Sequence, residues 1–394
     1  MKSVRLGDIA TLVRGVSFSK EEGNLLSEKG YLPVIRAGSI QESLLLHEGQ
    51  IWVPARKIKS SQKIRTDDIV MCTSSGSSDL VGKCARSTED FEGSFGAFCA
   101  GIRAHQEKAS PSYLYHFLCS PVFKVWTRAS SGANIKNIRV SELAEFQVPL
   151  PSLPEQKRIA AILDKADAIR RKRQQAIQLA DDFLRAVVLD MFGDPVTNPK
   201  GWELKTLGEL CTKITDGEHG TVKRLESGRL YLMARNIDRK GNLDLSDVSY
   251  ISEADHQRIY KRCGPEKGDV LLVCVGATIG KALVVPDIGE FSLARSVALL
   301  KPGKEIVSEY LLSLINTDAL QRQFVSSGNS SAQAGLYLGK IKEIMVPVPG
   351  LKEQLRFKEI VNFVKEKFSS KINGGNLESD FVLSLSQKAF SGQL

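Results

Sequence analysis

The chain has 394 residues, of which 42% are hydrophobic and 25% charged, and it carries a formal net charge of +9. This composition is typical of a globular protein of two or three domains, and the charge permits binding to a polyanion without demonstrating it. The seven cysteines include no CxxC pair and no apolar run approaches the ~20 residues of a membrane span. We therefore expect no disulfide framework, no zinc site, no membrane segment and a cytoplasmic location.

The pattern of residues 1–154 predicts a mixed α+β domain. Short β-type runs, such as residues 32–35 and 69–72, are separated by turns rich in serine and glycine. A shorter helical pattern covers residues 111–125. We predict a first globular domain over residues 1–154.

A long helix is predicted over residues 155–192. No glycine or proline interrupts this segment before Gly193, and at 1.5 Å per residue it would form a rod of roughly 55 Å. Its apolar residues recur in alternating steps of three and four, which is the spacing of a coiled-coil seam. The predicted seam consists of Ile159, Ile162, Ala166, Ile169, Phe183 and Val187, with Arg173 as a polar member.

After a linker over residues 193–202, the chain repeats itself. Residues 148–156 read VPLPSLPEQ and residues 346–354 read VPVPGLKEQ, an offset of 198 (346 − 148). Residues 6–9, LGDI, return as residues 207–210, LGEL, and further matches follow in the same order. The sequence predicts a second, similar domain over residues 203–350 and a second helical region over residues 351–394.

The second helical region is predicted to pair with the first. Its seam positions are Phe357, Ile360, Val364, Phe381 and Leu385. Gly374-Gly375 should break or bend this helix, because glycine is costly in a helix interior. We expect the two rods to be antiparallel and to separate the two globular domains with pseudo-twofold symmetry.

Motifs for catalysis are missing from the sequence. There is no Walker GxxxxGK[ST], no HExxH and no GxSxG. An Asn-Pro-Pro-aromatic stretch, with which amino-methyltransferases grip a base, is also missing. We therefore expect a recognition or scaffold component rather than an enzyme.

Several repeated motifs carry a family likeness. They are LGDI and LGEL at the start of each domain, residues 34–40 with their counterpart 233–237, and Gly-Lys pairs at 82–83 and 280–281. The most specific are PLPSLPEQKRI at 149–159 and its echo ending at Glu353-Gln354, and DMFGDP at 190–195 closes the first helix. Over essentially its whole length the chain resembles the specificity (S) subunit of type I restriction-modification systems.

The resemblance implies a non-catalytic subunit that binds double-stranded DNA. Each globular domain would be a target recognition domain that reads one half of a bipartite, asymmetric target. The helices would set the spacer length and dock two methyltransferase subunits, and motor-nuclease subunits would join for restriction. S-adenosylmethionine, ATP and Mg²⁺ would bind to the partner subunits only. The alternative is a duplicated-domain scaffold that binds another protein and not DNA.

Candidate DNA contacts are side chains that read base edges (Arg, Lys, Asn, Gln) or approach phosphates (Ser, Thr, Lys). Any one of them alone could equally be ordinary solvated surface, but serine-rich turns flanked by lysine suit phosphate contacts as groups. In the first domain they are Arg36, Ser39, Ser74, Ser75, Ser77, Ser78, Lys83, Arg128, Asn134, Lys136 and Asn137. In the second they are Arg235, Asn236, Thr278, Lys281, Arg295, Arg322, Asn329, Ser330 and Gln333.

The basic run at residues 170–173 has a different interpretation. On a coiled coil such a run is more often a solvated face or a subunit contact than a DNA patch. Arg173, at a seam position, is expected to fix the register of the rods against an acidic residue such as Glu378. Trp126 is expected to pack in the first domain rather than to stack on a base.

Overall fold

The computed structural model describes residues 2–77, 79–129, 136–238, 241–328, 335–372 and 375–394. The chain divides into two compact units. Unit 1 consists of Met1–Gln175 and Asn373–Leu394, and unit 2 of Ala176–Ile372. Each unit therefore combines one globular domain with the start of one long helix and the end of another.

The first half of the chain forms eleven named strands and five helices within its described residues. The strands are β1 (Ser3–Arg5), β2 (Ala10–Arg14), β3 (Tyr31–Ile35), β4 (Ile51–Pro54), β5 (Ile69–Cys72), β6 (Ser74–Ser75), β7 (Cys84–Arg86), β8 (Ser94–Phe95), β9 (Cys99–Ala104), β10 (Lys136–Asn137) and β11 (Gln147–Pro149). The helices are α1 (Leu6–Ile9), α2 (Pro111–Leu118), α3 (Pro121–Ala129), α4 (Val140–Glu145) and α5 (Leu153–Phe192).

The second half follows the same order with two differences: one helix, Glu253–Cys263, is added, and β6 and β10 have no counterparts among the named strands of its described residues. Its strands are β12 (Glu203–Thr206), β13 (Cys211–Asp216), β14 (Arg229–Leu232), β15 (Ser249–Ile251), β16 (Val270–Val273), β17 (Ala282–Val284), β18 (Ser292–Leu293), β19 (Val297–Pro302) and β20 (Met345–Val348). Its helices are α6 (Leu207–Leu210), α7 (Glu253–Cys263), α8 (Ser308–Ile315), α9 (Asp318–Gly328), α10 (Leu338–Glu343), α11 (Leu351–Ile372) and α12 (Gly375–Ser391).

A four-stranded antiparallel sheet forms the centre of unit 1, in the order β2-β9-β5-β7. All four residues of β5 are buried, because both faces of the sheet are covered. Ile69 and Met71 belong to the core that includes residues of α2, while Val70 and Cys72 belong to a second core. That second core includes residues of another sheet, in which β3 lies between β4 and β8.

Unit 2 has the same topology. Its central sheet has the order β13-β19-β16-β17, and its second sheet has β14 between β15 and β18. In both units the strand that opens the domain pairs with the strand that closes it, β1 with β11 and β12 with β20. The described residues therefore form two copies of one α+β fold, as the duplication predicts.

The long helices differ slightly from their predicted bounds. α5 has 40 residues and begins at Leu153, two residues before the predicted start. The C-terminal helical region consists of two helices: α11 ends at Ile372, and α12 begins at Gly375. The predicted break falls partly on Gly374, which lies outside the described residues.

The buried faces of the long helices correct the predicted seam. Ile159 and Phe357 are buried as expected, but Ile169 is exposed, and so are Phe183 (52%) and Phe381 (58%). The remaining seam residues are buried or half-buried: Ile162, Ala166, Arg173, Val187, Ile360, Val364 and Leu385. The reason is that the helices are buried chiefly where a globular core covers them. Periodicity identifies an apolar face but not what covers it.

Within each unit the start of one long helix lies beside the end of another. In unit 1, Arg158 near the start of α5 donates a hydrogen bond to the backbone carbonyl of Leu394 (2.8 Å). In unit 2, Phe192 at the end of α5 contacts Phe357 near the start of α11, with ring centroids 5.5 Å apart. Both pairs have the local order that antiparallel helices require.

Among the described residues, no helix combines the length and apolarity needed to cross a bilayer.

Candidate nucleic-acid interface

Loops from both sheets of unit 1 meet at one end of the domain. β5 ends at Cys72, where β9 begins with the paired Cys99 and β7 begins with Cys84. β3 and β8 are parallel and end together at Ile35 and Phe95. The connecting segments therefore lie at the same end, and we call them loop face 1: residues 36–45, 73–77, 79–83, 96–98 and 137.

Hydrogen bonds hold these segments together. β6 pairs with β10, so that Ser74 lies opposite Asn137. The Lys83 Nζ donates a hydrogen bond to Oε1 of Gln41 (3.1 Å), which joins the segment before β7 to the segment after β3. Loop face 1 is therefore one connected surface rather than a set of independent loops.

The predicted contacts of the first domain largely lie on this face. On the face, Arg36, Ser77 and Asn137 are exposed, and Ser74, Ser75 and Lys83 are half-buried. Arg128 is exposed in the last turn of α3, outside the segments that define the face. Ser39 is a correction: it is buried, so its side chain does not face a ligand. Ser78 and Asn134 lie outside the described residues, and the side chain of Lys136 is not described.

Unit 2 has an equivalent surface, loop face 2, made of residues 233–238, 241–247, 274–281 and 294–296. Arg235 is exposed and forms an ion pair with Asp247 (3.2 Å). Arg295 and Arg322 are exposed, Thr278 and Lys281 are half-buried, and α9 is joined to the face where Gln321 Nε2 donates to the carbonyl of Gly280 (2.9 Å). Asn329, Ser330 and Gln333 lie outside the described residues.

Asn236 corrects another predicted DNA contact. Its side chain is buried, and its Nδ2 donates hydrogen bonds to the carbonyls of Asp244 and Asp247, both 3.0 Å away. Its Oδ1 accepts a hydrogen bond from the backbone N–H of Met233 (3.0 Å). The amide closes the loop after β14 and is not available to read a base.

An acidic group lies next to loop face 2 and is neutralised locally. Glu218 accepts a hydrogen bond from the backbone N–H of Gly220 (2.7 Å) and pairs with Arg258 (2.5 Å). These contacts lower the pKa of Glu218, chiefly through the Gly220 N–H, so the carboxylate stays ionised. Because Arg258 balances its charge, Glu218 adds little repulsion toward a polyanion.

Two residues of the basic run at 170–173, Arg170 and Arg171, form ion pairs. Arg170 contacts Asp167 and Glu42, both at 3.0 Å, and Arg171 contacts Asp167 at 3.1 Å. This agrees with a solvated or structural face of α5. Arg173 is half-buried, but the side chain of Glu378, its predicted partner, is not described.

Trp126 packs as the sequence predicts. Its ring contacts Phe146 and Phe123, with centroid distances of 4.6 Å and 5.4 Å. It is partly buried and packs against the apolar core of unit 1, outside loop face 1.

A residue that the sequence analysis missed lies on loop face 1. Phe98 is 68% exposed in the turn between β8 and β9. An alignment of the two repeats could have found it, because Ala97-Phe98 then stands opposite Arg295-Ser296, and the side-chain chemistry differs at both of these positions.

Comparison with protein families decides the identity. The model of the type I restriction modification DNA specificity domain matches the chain twice, over residues 1–179 and 199–375. The chain belongs to the type I restriction-modification specificity subunit family. The two matches correspond to the two repeats of the sequence.

Individual relatives cover nearly the whole chain. The type I restriction enzyme StySPI specificity subunit of Salmonella potsdam is 30% identical, over 98% of this chain and 87% of the relative. The EcoKI specificity subunit of Escherichia coli strain K12 is 27% identical over the same shares. A crystal structure of the S subunit from M. genitalium is similar in fold, with a TM-score of 0.64, 18% identity, and coverage of 99% of this chain and 96% of that one.

These findings confirm the predicted family, the α+β class of the two domains and a function in DNA sequence specificity. The fold of the specificity subunit family agrees with the duplicated topology described above. Nothing in the comparisons supports a duplicated scaffold without DNA binding.

Proposed function

We propose that this specificity subunit reads a bipartite, asymmetric DNA target, one half with each globular domain. The observation that carries the proposal is the pair of equivalent loop faces, built on the same topology but bearing different side chains. Loops on a rigid frame commonly carry binding residues, and different side chains select different bases. Because the two domains share one fold but expose different side chains, we expect two different half-sites rather than a palindrome.

The long helices set the unread spacer in this proposal. α5 begins in unit 1 and ends in unit 2, and its 40 residues correspond to about 60 Å at 1.5 Å each. Half-sites one turn apart on B-DNA lie roughly 34–36 Å from each other, so a helix of this length matches a target spread over more than one turn.

The same helices dock two methyltransferase subunits. Exposed large apolar side chains on the described parts of α5, α11 and α12 support this role, because such side chains on a helix surface can be buried against a protein partner. They are Ile169, Leu179, Phe183, Leu189, Leu351, Leu355, Phe363, Phe381 and Leu383. The chain itself is non-catalytic; the methyltransferases bring S-adenosylmethionine, and motor-nuclease subunits bring ATP and Mg²⁺ for restriction.

Mapping methylated sites tests this function. The chain is expressed with the methyltransferase of its own system, and methylated positions are sequenced across a genome that lacks other methyltransferases. We expect one asymmetric motif of two short blocks separated by unspecified base pairs, and no motif when the chain is omitted. A continuous palindrome, or the same motif without the chain, would contradict the proposal.

A further inference from the structure

Loop face 1 presents an exposed aromatic side chain on a tight turn. Residues 96–99 form a β-turn closed by a hydrogen bond from the Cys99 N–H to the carbonyl of Gly96 (2.8 Å). Phe98 occupies the third position of the turn, and 68% of it is exposed. Single exposed apolar side chains are common on protein surfaces, so the place of Phe98 on loop face 1 matters here more than its exposure.

The turn is fixed from two sides. The carbonyl of Phe98 accepts hydrogen bonds from the backbone N–H groups of Thr73 (2.9 Å) and Ser74 (3.2 Å) and from the Thr73 hydroxyl (3.1 Å). On the other side Gly15 packs so closely that a Cβ there would lie 2.1 Å from the carbonyl oxygen of Gly96. The backbone of Phe98 is therefore held in place before any ligand arrives, which lowers the ordering cost of binding.

The surroundings of Phe98 suit DNA. Ser74, which donates its N–H to the Phe98 carbonyl, belongs to β6, and there it lies opposite Asn137 of β10. The Gly96 N–H donates a hydrogen bond to the carbonyl of Ile35 (2.9 Å), and Ile35 directly precedes the exposed Arg36. An apolar side chain on the same face as residues with hydroxyl, amide and guanidinium groups matches a base edge that offers a methyl group between polar atoms. In the major groove that group is the 5-methyl of thymine.

Unit 2 has the same turn with different chemistry. The Val297 N–H donates to the carbonyl of Ala294 (3.0 Å), and the Ser296 carbonyl accepts a hydrogen bond from the Cys274 N–H (3.0 Å). The exposed side chain on this turn is Arg295, which suits guanine or a phosphate. At neighbouring positions of the duplicated turn, the first domain thus exposes an apolar ring and the second exposes a cation, because Arg295 corresponds to Ala97 and Ser296 to Phe98.

We propose that Phe98 is a specificity-determining residue of the first domain and contacts the 5-methyl group of a thymine in its half-site. The inference rests on the proposed function, since it assigns a base to a residue of the same DNA interface. It also accounts for part of the asymmetry of the target, because the equivalent turn of the second domain offers no apolar side chain of this kind.

Removing single methyl groups from the DNA tests the contact. The complete complex with its methyltransferase subunits binds duplexes of the mapped target in which each thymine of the first half-site is replaced, one at a time, by deoxyuridine. We expect wild type to lose affinity about fivefold at one position. Phe98→Ala should bind the normal target about tenfold more weakly and be indifferent to deoxyuridine there, while Phe98→Leu retains part of the preference.

Leu26→Ala is the matched control, because Leu26 is 79% exposed in the turn before β3, away from loop face 1. It should bind and discriminate like wild type. If Phe98→Ala keeps the deoxyuridine response, loses methyltransferase subunits instead, or the half-site holds no thymine, the inference is overturned while the proposed function stands. If wild type has no bipartite target, the proposed function itself fails.

Discussion

At the scale of single residues, the repeated Glu-Gln motif has a structural explanation. Gln354 is fully buried; its Oε1 accepts a hydrogen bond from the Val307 N–H (2.8 Å), and its Nε2 donates to the carbonyls of Glu305 (2.9 Å) and Pro349 (2.8 Å). One amide therefore joins the first turn of α11 to the segment before α8. The sequence identified this motif as a family signature, but its role needed the coordinates.

Gln156 does the same in unit 1, and its loss should destabilise that unit. It is buried, accepts a hydrogen bond from the Ser110 N–H (2.9 Å), and donates to the carbonyls of Lys108 (3.2 Å) and Pro151 (2.9 Å). Gln156→Ala leaves these groups without their partner, so we expect the free energy of unfolding to fall by about 3 kcal/mol. Urea denaturation followed by circular dichroism measures the change. Lys157→Ala, an exposed neighbour, should unfold like wild type, and equal midpoints for the two variants would refute this role.

At the scale of elements, the ends of the long helices are anchored by equivalent aromatic residues. Phe390 in α12 contacts Tyr113 and Phe117 of α2, with ring centroids 5.5 Å and 5.1 Å apart. Phe192 at the end of α5 contacts Tyr310 of α8 in the same way, at 4.6 Å. The sequence predicted the existence and length of α5 correctly, because uninterrupted helical residues suffice for that. It missed these anchors because the globular cores, and not the heptad spacing, decide which apolar residues are covered.

Two phenylalanines of α12 give a direct test of this distinction. Phe390→Ala opens a cavity in the core of unit 1 and should lower the free energy of unfolding by about 3 kcal/mol. Phe381→Ala removes an exposed ring and should change it by less than about 0.5 kcal/mol. Denaturant midpoints compare the two variants. If both variants lose a similar free energy of unfolding, Phe381 is buried, as the seam prediction had it.

The exposed phenylalanines should matter for assembly instead. Phe183 and Phe381 occupy equivalent positions of the repeat (381 − 183 = 198) and are both exposed. If each lies in one docking surface for a methyltransferase, Phe183→Ser and Phe381→Ser should each weaken one of two binding events about tenfold or more. Native mass spectrometry should then show complexes with one methyltransferase for each single variant and none for the double variant. Leu204→Ser, an exposed residue of β12, is the control and should keep two; two partners on the double variant would exclude these helices as the docking surface.

At the scale of the whole molecule, the duplication was the most predictable feature. Ordered matches at offsets near 198 identified two copies before any element was placed, and both copies have the same sheet order.

For the candidate site, the sequence predicted that loops form it but not which of their side chains face a ligand. Arg36, Lys83 and Arg295 lie on the loop faces, whereas Asn236 is buried by its own hydrogen bonds and Phe98 was overlooked. Residue type indicates which side chains can contact DNA, but tertiary packing decides which of them face it.

Exchange of one domain tests the central claim most directly. Residues 1–154 are replaced by the corresponding segment of a relative with a different target, and methylated sites are mapped for the chimera, expressed with the same methyltransferase, beside those of wild type. If each domain reads one half-site and the helices set the spacer, one block of the motif changes to that of the donor, while the other block and the spacer length stay the same. A chimera that alters both blocks, or leaves the motif unchanged, would contradict the account.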